Sequence, residues 1–172
     1  PDRMRERTDF FGNRVVYFSI ESLHDSLDVS VSSEITTHPR PLADFFSGIA
    51  WEQAVLELRQ DPRQTNRDCL DARLYVLSSP FVYQSAELAE FARSSFTPGR
   101  NLIDAVLELN TRIFTEFTYD PEFTTVATPL QDVLASKRGV CQDFAHLAIG
   151  CLRSLGLAAR YVSGYMETLP PP

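Results

Sequence analysis

The sequence predicts an α+β protein in which an antiparallel β segment leads into a mainly helical lobe. Two patterns carry this expectation. Between residues 10 and 40, apolar side chains recur at every second position, the period of a strand. From residue 100 onward they recur at helical spacing, and Gly, Pro and Thr punctuate the segments.

In the β segment, Val15, Tyr17 and Ser19 alternate with Val16, Phe18 and Ile20, apolar on both sides, so a well-buried strand is expected after the Gly12-Asn13 turn. Leu27, Val29, Val31 and Ile35 alternate with Asp28, Ser30 and Ser32, the pattern of a half-buried strand. His24-Asp25-Ser26 is the expected hairpin loop between them. Two strands alone are marginal in water, so the hairpin should pack on the rest or belong to a larger sandwich. Pro39 and Pro41 mark a linker, giving expected domains of 1–40 and 41–172.

In the second domain, residues 42–60 hold a short helical pattern with Trp51, Ala54, Val55 and Leu58 on one face. Leu74-Tyr75-Val76-Leu77 reads as a strand or extended segment. Ser85 is an N-cap for a helix to about Ser94, with Leu88, Phe91 and Ala92 inward. Ile103, Val106, Leu107, Asn110, Ile113, Phe114 and Phe117 form a further helix, and Tyr119-Asp120-Pro121 ends it. Thr128-Pro129-Leu130-Gln131 signals the next: Thr128 caps, Pro129 takes the first position, Gln131 closes a capping box, and Leu130, Val133 and Leu134 face inward. Gly139 suits a left-handed terminator. Cys141, Phe144, Ala145, Ala148, Cys151, Leu152 and Leu155 then trace a complete apolar stripe, stopped by Gly156. Ala159, Tyr161 and Ser163 alternate with Arg160, Val162 and Gly164 in a following strand.

Composition excludes several classes. With 44% hydrophobic and 23% charged residues among 172, the chain suits one good core or two small ones. A net charge of -7 argues against nucleic-acid binding, and Arg3, Arg5 and Arg7 are interleaved with Asp2 and Glu6 as a solvated face. No apolar run of about 18 residues is present, so no membrane-spanning helix is expected. The polar amino end shows no secretory signal, which points to a cytoplasmic protein, although a start at Pro1 suggests that both ends are cut. Cys69, Cys141 and Cys151 form no disulfide framework: the last two lie about 15 Å apart on one helix, beyond the roughly 7 Å a bridge allows. Neither they nor His24, His38 and His146 show metal-ligand spacing, so no metal and no cofactor are expected.

Cys141 is the candidate nucleophile. It follows the Arg138-Gly139-Val140 turn and opens a helix whose stripe anchors it in the core. Unpaired N–H groups and the macrodipole at a helix start favour a thiolate and can stabilise an oxyanion. Buried cysteines often do no more than fill a helix face, and Cys151 reads that way. Periodicity alone leaves both readings of Cys141 open. Gln142 is placed to reach an oxyanion, and Asp143 complements the dipole in the first turn. His146 lies about 140° around and about 7.5 Å along the helix from Cys141, too far for a direct base, so a structural role is expected. Trp51 and Tyr83 read as packing residues.

The wider string decides between the readings. Leu109-Asn110-Thr111-Arg112-Ile113, Phe117-Thr118-Tyr119-Asp120, Thr128-Pro129-Leu130, Gly139-Val140-Cys141-Gln142-Asp143-Phe144-Ala145-His146-Leu147 and the run from Leu152 through Gly164-Tyr165 resemble the bacterial transglutaminase-like cysteine protease family. Asp9-Phe10-Phe11-Gly12-Asn13 and the hairpin after it carry a weaker resemblance to the end of that family's β-rich, sandwich-like amino-terminal domain. The resemblance implies a papain-like core in which a helix-borne cysteine attacks an amide, a strand histidine serves as base and an aspartate orients it. The nucleophile carries over to Cys141. The histidine and aspartate would come in a later segment, and no histidine follows His146 in these 172 residues. The expected function is therefore a cysteine protease or amide hydrolase acting on a peptide or isopeptide substrate in full length, with the piece ending at Pro172 inactive. The alternative is a catalytically incomplete binding or scaffold module. An open sheet edge after Tyr165 would also invite a second copy of the chain.

Overall fold

The computed structural model describes residues 3–36, 48–123, 125 and 128–164. The chain divides into two compact units, Pro1–Arg40 and Pro41–Pro172. The fold is α+β, mixing helices with small sheets.

Among its described residues the first unit contains one antiparallel hairpin, β1 (Arg3–Thr8) with β2 (Arg14–Ser19), in the register Thr8↔Arg14 to Arg3↔Ser19. Asp9 makes the turn. Its carboxylate accepts from the Phe11 N–H at 2.9 Å, the Asn13 N–H at 2.8 Å and the Asn13 side-chain amide at 2.9 Å, while Gly12 takes φ 85°. The Asn13 amide, with those backbone donors, holds the Asp9 carboxyl below its ordinary range. This pairing differs from the one expected. The partner of the Val15–Ser19 strand precedes it, and residues 20–36 form no strand. The strand is also less covered than its alternation suggested, with Val16 and Tyr17 exposed, and Leu27, Val29, Val31 and Ile35 are exposed too. Apolar alternation says which residues share a face, but not that anything covers it. Pro39, Pro41 and His38 lie outside the described residues.

The second unit is built from six helices among its described residues: α1 (Trp51–Arg59), α2 (Arg67–Arg73), α3 (Ala86–Arg93), α4 (Leu102–Glu116), α5 (Leu130–Ser136) and α6 (Cys141–Ser154). Two-residue strands β3 (Thr118–Tyr119) and β4 (Arg138–Gly139) pair in parallel. Helix α6 packs against α3, α4 and α5. Leu88, Leu109, Val133, Leu147 and Cys151 are completely or almost completely buried in the shared core, where each large apolar side chain contributes about 1.5–3 kcal/mol. Gly150 permits the approach of α3 and α5, since a Cβ there would stand 3.0 Å from Leu88 Cδ1 and 3.1 Å from Leu130 Cδ1.

Several local expectations hold. Ser85 caps α3, its hydroxyl accepting from the Leu88 N–H at 3.2 Å. Gly156, at φ 86°, follows α6. Trp51 packs edge-on against Phe96, with centroids 5.7 Å apart. Others are corrected. Leu74–Val76 is a 3-10 turn continuing α2, not a strand. Helix α5 is capped by the Pro129 backbone, one residue later than expected, and the Gln131 capping box does not form. Instead the Thr128 hydroxyl accepts from the Thr125 N–H at 2.8 Å, and the Gln131 N–H donates to Tyr83 Oη at 3.0 Å. The left-handed residue after α5 is Lys137 (φ 54°, ψ 36°), not Gly139. Residues 157–164 form no strand, and the residues from Tyr165 onward lie outside the described set.

Candidate active site

Cys141 is delivered by the link from α5 to α6. Lys137 turns the chain out of α5, and β4 locks it beside the end of α4 through the Thr118 N–H to Lys137 O bond and the Asp120 N–H to Gly139 O bond, both 2.8 Å. Side chains reinforce this lock. Lys137 Nζ donates to Glu116 at 2.7 Å and Arg112 Nε to the same carboxylate at 3.0 Å, so the Lys137 hydrogen bond, with Arg112, holds Glu116 below its ordinary range. Arg138 pairs with Asp120, whose carboxylate also accepts from the Glu122 and Phe123 N–H groups at 3.0 and 3.2 Å. The Arg138 hydrogen bond, then the Glu122 N–H, lowers that carboxyl.

The helix start is shaped by Asp143. This side chain is buried, and it accepts from the Val140 N–H at 2.8 Å. A Cβ on Gly139 would stand 2.9 Å from Asp143 Oδ2 and 3.0 Å from its Cβ, so glycine here makes room for the carboxylate. Val140 occupies the N-cap with no polar side chain to cover the first-turn N–H groups. Cys141 is exposed at this end, whereas Cys151, on the same stripe, is sealed in the core. Burial pushes the Cys151 thiol up to about 12. Gln142 is half-buried beside Cys141.

His146 turns into a ring cluster. It stacks on Phe81, with centroids 6.2 Å apart and planes 3° from parallel, and lies 5.3 Å from Tyr161. Burial lowers its pKa, Asp143 opposing and Arg153 adding. His24 makes a local contact, its Nδ1 2.9 Å from Ser22 O. Among the described residues no group of three His, Cys, Asp or Glu side chains could hold a metal ion, and no helix is long and apolar enough to cross a membrane.

Two contributors were not legible as such in the sequence. Asp143 serves as a buried mount, for which the signal was a Gly four residues before an Asp at a helix start. Arg153 is a buried cation on α6, visible only as an arginine interrupting an otherwise apolar helix end.

This arrangement, an exposed thiol opening a core-anchored helix, falls within residues 89–170, which match the sequence profile of the transglutaminase-like superfamily. An uncharacterized protein of Mycobacterium tuberculosis is 38% identical over 174 aligned positions, covering 99% of this chain and 52% of its own length. An uncharacterized protein of Mycobacterium leprae is 31% identical over 163 positions, covering 92% of this chain and 53% of its own. The chain thus spans about half the length of these curated relatives. A solved structure titled a "Putative Cysteine Protease" from Cytophaga hutchinsonii is 28% identical, covering 60% of this chain and 35% of its own, with a TM-score of 0.48.

Proposed function

We propose that the full-length protein is a cysteine-dependent amide hydrolase of the transglutaminase-like type, acting on peptide or isopeptide bonds through Cys141. The observation that carries this reading is the contrast between two thiols on one helix. Cys141 is exposed at the amino end, inside the matched segment, while Cys151 is buried deep in the same helix.

In the proposed reaction the Cys141 thiolate attacks the carbonyl carbon, forming a C–S bond and a tetrahedral oxyanion. First-turn N–H groups of α6, with Gln142 beside them, face the developing charge. The C–N bond then breaks, the amine leaves with a proton from a protonated base, and a thioester remains. Water, deprotonated by the same base, attacks the thioester carbonyl; the C–S bond breaks, the acyl group leaves as a carboxylic acid, and the sulfur takes back the proton from the base. The base and its orienting carboxylate belong to the segment that the family resemblance places after Pro172. We assign that work away from His146, which lies about 7.5 Å along the helix from Cys141 and whose ring stacks on Phe81.

The test is turnover of peptide and isopeptide amides by the full-length protein and its Cys141→Ser variant, with hydroxylamine added to intercept the thioester. The expected outcome is a hydroxamate product and a loss on the order of a thousandfold or more in kcat/KM in the variant. A variant as active as the parent overturns the assignment. A wild-type protein that binds such peptides without turning them over supports the scaffold reading instead.

A further inference from the structure

Helix α6 carries a second set of polar side chains, apart from Cys141. His146 and Arg153 are seven residues apart, nearly two full turns, so their side chains leave the helix in the same direction. Both reach the same two irregular segments. Arg153 donates through Nε and Nη2 to Ala159 O at 3.0 and 2.8 Å, and through Nη1 to Leu77 O at 2.9 Å and Ser79 Oγ at 3.2 Å. His146 lies against Phe81 of the first segment and Tyr161 of the second.

These segments need such partners. Residues 77–82 hold only a tight turn, in which Ser79 and Val82 exchange backbone bonds of 2.7 and 3.0 Å. Residues 157–164 form no helix or strand. Backbone carbonyls outside regular structure must find donors elsewhere when covered. The planar guanidinium fork can serve carbonyls from two strands of chain at once, which a lysine ammonium cannot do with the same geometry. The Ala159 N–H to Tyr75 O bond of 3.1 Å and the Arg160 guanidinium over the Tyr75 ring complete the attachment.

We infer that His146 and Arg153 form a clasp on the nucleophile helix, holding the 77–82 turn and the 157–161 exit chain in fixed register. They are thereby positioning residues, because the exit chain leads from the cysteine helix toward the segment proposed to bring the base. This catalytic consequence rests on the function proposed above; the clasp itself does not.

The experiment uses the full-length protein with Arg153→Met, Arg153→Lys, His146→Ala and His146→Phe. Amide hydrogen exchange is read at 77–82 and 157–164, and kcat and KM on whichever peptide amide is turned over. Arg153→Met is expected to raise exchange about tenfold or more in both segments, with the amides of Leu147–Cys151 unchanged. Arg153→Lys raises it in at least one segment, because the fork is lost. His146→Ala loosens the same two segments, and His146→Phe, which keeps a stacking ring, does not. Kinetically, Arg153→Met lowers kcat with KM little changed. Unchanged exchange in both Arg153→Met and His146→Ala overturns the clasp, as does full protection in Arg153→Lys. Raised exchange with unaltered kcat overturns the positioning role. Should Arg153→Met fail to fold, His146→Ala against His146→Phe decides by the same readouts. Absence of any turnover counts against the proposed function alone, since exchange still reads the clasp directly.

Discussion

Gly139→Ala tests whether the helix mount is built as described. The added methyl would lie 2.9 Å from Asp143 Oδ2, 3.0 Å from its Cβ and 3.3 Å from its Cγ. All three neighbours belong to one buried side chain, so either β4 or the carboxylate must move. Overpacking of this kind costs about 1–3 kcal/mol. If the carboxylate yields, the part-buried Val140 N–H also loses its 2.8 Å acceptor, at a cost below the roughly 1–3 kcal/mol of a fully buried group left unsatisfied. Asp143→Ala alone forfeits that hydrogen bond but removes Oδ2 and Cγ, two of the three atoms a residue-139 methyl would meet. The double variant should therefore be more stable than the sum of the single losses, by about 1 kcal/mol, since the Cβ contact stays. Urea unfolding of the parent, both single variants and the double variant measures this coupling. Additivity within about 0.5 kcal/mol would show that the glycine is not there to admit Asp143, and the account of the helix start would fail.

Two further outcomes follow from the two thiols and the histidine. Under native conditions iodoacetamide should modify exposed Cys141 and spare Cys151, whose thiol is both sealed and pushed up to about 12; peptide mass mapping reads this, and equal labelling of the two would contradict the core assignment. His146 has its folded-state pKa lowered from 6.5, chiefly by burial. Its linkage leaves stability independent of pH above 6.5. As pH falls through that value the unfolded chain takes the proton first, so stability declines until the folded-state pKa is passed. Denaturant midpoints between pH 7 and pH 5 should therefore fall more steeply in the parent than in His146→Phe, and parallel curves would show that this ring makes no such contribution.

The parts of the fold visible in the sequence are those where one local pattern suffices. The α6 helix and its Gly156 stop need no knowledge of partners, because a three-to-four-residue period and a positive φ are properties of the segment itself. The same holds for the Ser85 cap. The buried face of α6 is rotated from the expected stripe, with Leu147 and Ile149 buried beside Cys151, Phe144, Ala148, Leu152 and Leu155 only partly so, and Cys141 exposed. Misreadings arise where a partner decides. Residues 3–8, Arg-Met-Arg-Glu-Arg-Thr, carry no apolar alternation, yet they pair with β2 because Asp9 ties the turn at Asn13. Leu27, Val29, Val31 and Ile35 alternate cleanly with polar residues but are exposed and form no strand. Gly139 invited a backbone explanation, whereas its reason is the carboxylate four residues later. Lys137 takes the left-handed geometry although it has a Cβ, and its ammonium is held by Glu116. The site was legible to the extent that it is local. Cys141 stands out by position, while the Asp143 mount and the Arg153 contacts appear only once the chain has folded back.

Position along α6 therefore decides what its polar and sulfur-bearing residues do, more than residue type. Two cysteines share one stripe. The one deep in the helix meets Leu-rich packing that disfavours an anion, and the one at the start is exposed at the amino end of the helix. Asp143 and Arg153 are both buried charged residues of the same helix. The acid serves at the amino end, taking a backbone N–H, and the base serves at the carboxyl end, supplying donors to carbonyls. Each polarity matches the end of the helix at which it sits. A helix fixed at both ends in this way can present an exposed thiol at a constant position. Exchanging the two charges would oppose the dipole at each end and break both attachments, so the order of acid and base along α6 is as much a part of the proposed site as the cysteine.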